Sequence, residues 1–105
     1  FNNGTFAEYL KIPAAIVQQN LLPIPEGLSD AMAAMTEPLA CVLHGAARSN
    51  AKPGDRVVLL GDGAIGLMFV AAMAPTTEFY VLGGNDSRLQ IAEKFGAAKT
   101  FNYRQ

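Results

Sequence analysis

The chain has 105 residues, half of them hydrophobic and 16% charged, with eight basic and nine acidic side chains that leave a formal charge of -1. A near-neutral chain without a basic run does not match a nucleic acid backbone, which excludes nucleic acid as an expected partner. The single cysteine, Cys41, rules out a disulfide within the chain, and no apolar stretch reaches the ~18–20 residues of a membrane span. The chain opens on Phe1 instead of a start methionine and stops at Gln105 just after an apolar segment, so it reads as an internal fragment. Its apolar content exceeds what so short a chain encloses by itself. No signal-peptide pattern is present, and the expected setting is soluble and cytoplasmic.

In chain order, "GTFAEYLKIP" mixes aromatic and β-branched residues behind a glycine and reads as a strand. "LLPIPEGLS" carries two prolines and a glycine and reads as an extended connector, the candidate domain boundary. Ser29 or Asp30 then caps a helix through "DAMAAM", and Glu37 with Pro38 opens a second through "LACVLHGAARS". "KPGD" is a turn. From Arg56 the pattern changes. "RVVLL" has the continuous apolar character of a buried parallel strand, and "AIGLMFVAAMA" is a helix stopped by Pro75. "EFYVL" is the next strand, "DSRLQIAEKFGA" the next helix and "KTFNY" a third strand. The alternation predicts an α/β fold, the first half of a Rossmann-type parallel sheet.

Gly61, Gly63 and Gly66 fit GxGxxG between a predicted strand and a predicted helix, where a dinucleotide-binding turn requires them. Gly61 permits the tight turn, Gly63 the approach of backbone to a pyrophosphate, and Gly66 the close packing of helix on strand. Unpaired amides and the partial positive charge of the helix N-terminus face the phosphates. Asp62, between the first two glycines, cannot help hold a pyrophosphate; its side chain is expected to point away from the ligand and bond turn amides. NAD specificity is set by an acid about 20 residues past the loop. Here Gly83 and Gly84 occupy the strand end, Asn85 follows, and Asp86 comes late, as an expected N-cap of the following helix. Without that carboxylate, Asn85, Ser87 and Arg88 are available to a 2′-phosphate, and NADP is as reasonable as NAD. Arg88 reads otherwise as a solvated helix residue or one lying over the adenine.

The order of "GTFAEYLKIP", "LPIPEGLSDAMAAMTEPLACVLHG", "KPGDRVVLLGDGAIGL" and "RLQIAEKFGA" resembles the zinc-dependent medium-chain dehydrogenase/reductases of the sorbitol and threonine dehydrogenase type. The resemblance implies that residues 1–28 are the end of a GroES-like catalytic β domain with its connector. Residues 29–105 would be the N-terminal part of the NAD(P)-binding domain. It also implies a homo-oligomeric parent enzyme moving a hydride between a secondary alcohol, such as a polyol, and NAD or NADP, with zinc as Lewis acid. Gly61, Gly63, Ile65 and Gly66 would support the pyrophosphate, and Gly83, Gly84, Asn85 and Arg88 the adenosine ribose. Glu37 of the "EP" pair would stand at or beside the zinc, as a ligand or holding the metal's water. The remaining zinc ligands would lie upstream of Phe1, so no catalytic residue is assigned within the chain and the fragment itself is expected to be inactive.

Other readings accompany these. Glu37 also suits a first helical turn through the helix dipole alone. The resemblance implies that Cys41 comes near the nicotinamide; by itself Cys41 reads as a buried, inert thiol, and His44 as a packed helix residue and not the third member of a local metal set. Two alternatives are a zinc-free quinone or enoyl reductase of the same superfamily and a non-catalytic nucleotide-binding module.

Overall fold

The computed structural model describes residues 4–105, which fall into two compact units divided between Ala33 and Ala34. In the first unit, the strand expected over residues 4–13 is not formed. A strand is stabilised by ladder bonds and cross-strand packing. No second strand occurs among the described residues of this unit, and Phe6 and Tyr9 lie exposed. Helix α1 (Ala14–Asn20) follows, in a stretch with no helical signal read from the pattern. Pro13, at φ -58°, starts it: the Ile16 and Val17 amides donate to its carbonyl at 3.0 and 3.1 Å. Residues 21–29 form the expected irregular connector, which turns at Gly27 with φ 85°. Ser29 is the cap of α2 (Asp30–Ala33), its Oγ accepting from the Met32 amide at 3.3 Å.

The second unit opens with α3 (Thr36–Ser49), which ends at Asn50 in the left-handed region, φ 57°. The KPGD turn closes through the Lys52 amide, which donates to Asp55 Oδ2 at 2.7 Å. Then come β1 (Arg56–Leu60), α4 (Ala64–Met73), β2 (Glu78–Gly83), α5 (Asp86–Lys94) and β3 (Lys99–Asn102). All strands are parallel in the order β1-β2-β3, the arrangement of a Rossmann-type half sheet. Arg56 stands opposite Glu78 and Leu60 opposite Leu82, with Gly83 opposite Asn102. Pro75 ends α4 as expected. Thr77, buried just beyond it, donates from Oγ1 to the Met73 carbonyl at 2.8 Å, satisfying one of the carbonyls that a helix end leaves open.

Strand alternation decides which face is covered. Phe79, Val81 and Gly83 of β2 are buried, and the core joins Phe79 and Val81 to Val70 and Met73 of α4 and Leu89 and Ala92 of α5. On the opposite face of the sheet, Val58 and Leu60 are 63% and 77% exposed. Arg56, Glu78 and Tyr80 share that face; Arg56 Nε donates to Glu78 Oε2 at 3.0 Å and Tyr80 Oη to Glu78 Oε1 at 2.5 Å. Helix α3 packs on α4 beside Gly45: a methyl group on Gly45 would stand 2.9 Å from the Phe69 ring. Among the described residues no helix is long and apolar enough to cross a membrane.

Candidate functional site

The turn between β1 and α4 holds the three glycines of the motif. Gly61 has φ 115°, a conformation that side chains rarely adopt, and its amide donates to the Leu82 carbonyl at 2.8 Å, tying the start of the turn to β2. Gly66, in the first turn of α4, presses on that same peptide: a methyl group there would overlap the Gly61 carbonyl oxygen and stand 3.3 Å from Leu59 Cδ2. Gly63 is the opposite case. It caps α4 in an extended conformation, and a methyl group on it would meet nothing within 4 Å. No side chain caps α4, no acid lies in its first turn, and Ile65 beside it is 49% exposed. A helix start whose leading amides have no partner among the described residues, reached through a glycine that opens outward, fits a pyrophosphate by its donors and its dipole.

The neighbouring turn, between β2 and α5, is closed. Asn85 caps α5, its Oδ1 accepting from the Arg88 amide at 3.1 Å. Asp86, expected to be the cap, is instead the first residue of the helix, and its carboxylate accepts from Asn102 Nδ2 at 2.6 Å and from Gln105 Nε2 at 3.2 Å. Both Asn and Asp suit that helix start; the register of α5 decided between them. Arg88 is exposed, as its solvated reading requires. Gly84 lies against the end of β3, where a methyl group on it would come 2.5 Å from Tyr103 Oη and 3.0 Å from Arg104 Nε. Neither Tyr103 nor Arg104 was read from the sequence as a neighbour of this turn.

Asp62 links the two turns. Its Oδ2 accepts from the Gly84 amide at 3.0 Å and the Asn85 amide at 2.8 Å, the turn-amide role expected of it, made across 22 and 23 residues. Burial pushes the Asp62 carboxyl up. The amides of Asn85, Gly84 and Asp62 itself, with the Arg88 charge, outweigh that and hold it below the usual carboxylate range. A carboxylate with a depressed folded pKa contributes stability above its unfolded value that is lost as pH falls through the folded one. Acid titration of the full-length protein is therefore expected to loosen the two turns only below about pH 4. In Asp62→Asn, the acid limb of the stability profile followed by circular dichroism should be flatter.

No family model matches the chain. Over 105 residues it is 39% identical to an alcohol dehydrogenase from Cupriavidus necator, a match covering 97% of the chain and 28% of that protein. It is also 39% identical over 101 residues to an L-threonine 3-dehydrogenase from Chromobacterium violaceum, covering 94% and 28%. Among solved structures, a zinc-binding dehydrogenase from Sinorhizobium meliloti bound to NADP is similar at TM-score 0.69 and 34% identity, covering 75% of the chain and 24% of that structure. An alcohol dehydrogenase from Escherichia coli complexed with NADH gives TM-score 0.71 and 29% identity, covering 80% and 26%. The chain belongs to the medium-chain dehydrogenase/reductase family. It spans a little over a quarter of the length of the curated relatives it matches. A quinone oxidoreductase from Thermus thermophilus, solved also as its complex with NADPH, shares the fold at TM-score 0.67 and 28% identity, covering 79% and 29%.

On α3, Glu37 lies exposed in the first turn, and Cys41 one turn later donates from Sγ to Glu37 Oε1 at 3.5 Å. Cys41 is exposed and not buried as expected, and that hydrogen bond, with the Glu37 charge, raises its thiol. His44 is exposed as well, against its expected packing: the buried stripe of α3 runs through Val42 instead. Among the described residues no three His, Cys, Asp or Glu side chains converge on a metal position. A tetrahedral zinc site needs three or four protein ligands, so this set alone does not fit one.

Proposed function

We infer that the full-length protein is an oxidoreductase transferring a hydride between a secondary alcohol, a polyol or similar small molecule, and NAD or NADP. The observation that carries this reading is the uncapped start of α4, where Gly63 leaves the approach open. The alcohol, threonine and sorbitol dehydrogenases among its relatives support the substrate class. In this reading, residues 1–28 belong to the catalytic domain and residues 29–105 to the coenzyme domain.

Each residue has a definable task. The first-turn amides of α4, including those of Ile65 and Gly66, donate to the pyrophosphate, Gly63 keeps side-chain bulk away from it, and Gly61 and Gly66 hold the turn tight against Leu59. Gly83, Gly84, Asn85 and Arg88 border the adenosine ribose. The bound coenzyme supplies the hydride acceptor or donor at its nicotinamide. Glu37 is assigned to a metal site in the same reading, with zinc dependence resting on ligands outside the described residues; no step is derived through the metal.

The test uses the full-length protein. Titration with reduced coenzyme should change nicotinamide fluorescence, and an alcohol panel should give a rise in reduced-nicotinamide absorbance. Coenzyme binding without turnover of any alcohol would favour a non-catalytic module. The fold likeness to a quinone oxidoreductase keeps a zinc-free reductase as a second reading. Elemental analysis decides it: about one zinc per chain at the catalytic site is expected, and a metal-free protein reducing quinones would overturn the alcohol assignment.

A further inference from the structure

We propose that Asp62 sets coenzyme choice, making the protein selective for the dinucleotide that lacks a 2′-phosphate. The inference rests on the coenzyme reading above and adds its specificity determinant.

Dinucleotide folds select NAD with a carboxylate at the end of the second strand, and accept NADP by removing it and offering donors. By sequence, Gly83 and Gly84 look like such a removal. In space the carboxylate is present, delivered from the glycine turn instead of the strand: Asp62 Oδ2 stands 3.0 and 2.8 Å from the amides of Gly84 and Asn85. Room for it exists because position 83 is glycine. A methyl group on Gly83 would come 2.6 Å from both Cβ and Oδ2 of Asp62, so a strand-end acid at 83 and the Asp62 side chain exclude each other.

Two consequences disfavour a 2′-phosphate. The amide donors that the turn would offer it, those of Gly84 and Asn85, are already taken by Asp62. A phosphate arriving there also meets a carboxylate, a like-charge contact that acts against the wrong ligand. Two cations oppose this effect. Arg88 acts on Asp62 through its charge, and Arg104 Nε lies close to Gly84. Arg88 is exposed, where solvent screens its charge. Arg104 stays exposed beside Tyr103, with its guanidinium 5.8 Å from that ring centre, where solvent screens it. Asp86, the other acid of the turn, faces Asn102 and Gln105.

The test is direct binding of NADH and NADPH to the full-length protein by fluorescence titration, in wild type and Asp62→Asn. Wild type should bind NADH about tenfold or more tightly than NADPH, a difference of about 1.4 kcal/mol. The variant should narrow that ratio at least severalfold by gaining NADPH affinity, since a neutral amide removes the repulsion. A wild type that prefers NADPH, or a ratio unmoved in the variant, overturns the proposal. The wild-type ratio needs no variant, so the test stands even if Asp62→Asn folds poorly; Asp62→Ser, which keeps a smaller acceptor, is the second substitution. Failure to bind either coenzyme would remove the coenzyme reading itself, a result distinct from binding both without discrimination.

Discussion

Replacing Phe79 by alanine in the full-length protein is expected to lower the unfolding free energy by about 3–5 kcal/mol. The ring is 1% exposed and sits in the middle strand of the sheet, in one cluster with Val70 and Met73 on α4 and Leu89 and Ala92 on α5. Truncation removes the contact on which both helices converge, and the cavity cannot close without moving β2, whose partners on both sides fix its register. Folded domains hold only about 5–15 kcal/mol in all, so a shift of the urea midpoint, with the slope unchanged, should be plain. A loss below about 1 kcal/mol would mean that the helices do not close on this ring as described.

Gly66→Val and Gly63→Ala should separate stability from binding. At Gly66 any side chain meets the Gly61 carbonyl, part of a backbone turn fixed by the Gly61 amide on Leu82. Nothing flexible can give way there, and a penalty of about 3 kcal/mol, at the upper end of overpacking effects, is expected. At Gly63 an added methyl group meets open space at φ -74°, so stability should stay within about 0.5 kcal/mol or rise slightly. Reduced-coenzyme affinity should nevertheless fall in Gly63→Ala, because the methyl group stands where backbone and pyrophosphate would touch. Calorimetry and fluorescence titration on the same two proteins check this. Normal affinity in Gly63→Ala would move the pyrophosphate away from this turn.

The parallel sheet was legible because RVVLL, EFYVL and KTFNY are short apolar runs separated by helical patterns and breakers, and local propensity agreed with the tertiary fold. The glycine turn was legible from its spacing: Gly61 needs a backbone and Gly66 a space that only glycine provides, and Gly63 completes the pattern between strand and helix. Less could be read where an outcome depends on a distant partner. GTFAEYLKIP has strand chemistry, yet a strand exists only beside another. Asn85 and Asp86 are both good caps, and only the register of α5 assigned the role to Asn85. The exposure of Cys41 and His44 follows from which stripe of α3 turns inward, which their residue types do not reveal. For Asp62 a signal was present in the chain itself: an acid inside the glycine motif together with two glycines where the strand-end acid was expected.

The overlap between Asp62 and any side chain at position 83 also restricts how this protein can diverge. Placing an acid on the strand while Asp62 remains would pass through an overcrowded intermediate, and because the Asp62 Cβ itself is in the way, the loop residue must become glycine before the strand residue grows. The two positions are epistatic, and the accessible mutational path between the two arrangements has a fixed order. Lineages descending from this sequence should therefore carry glycine at 62 whenever 83 has gained a side chain.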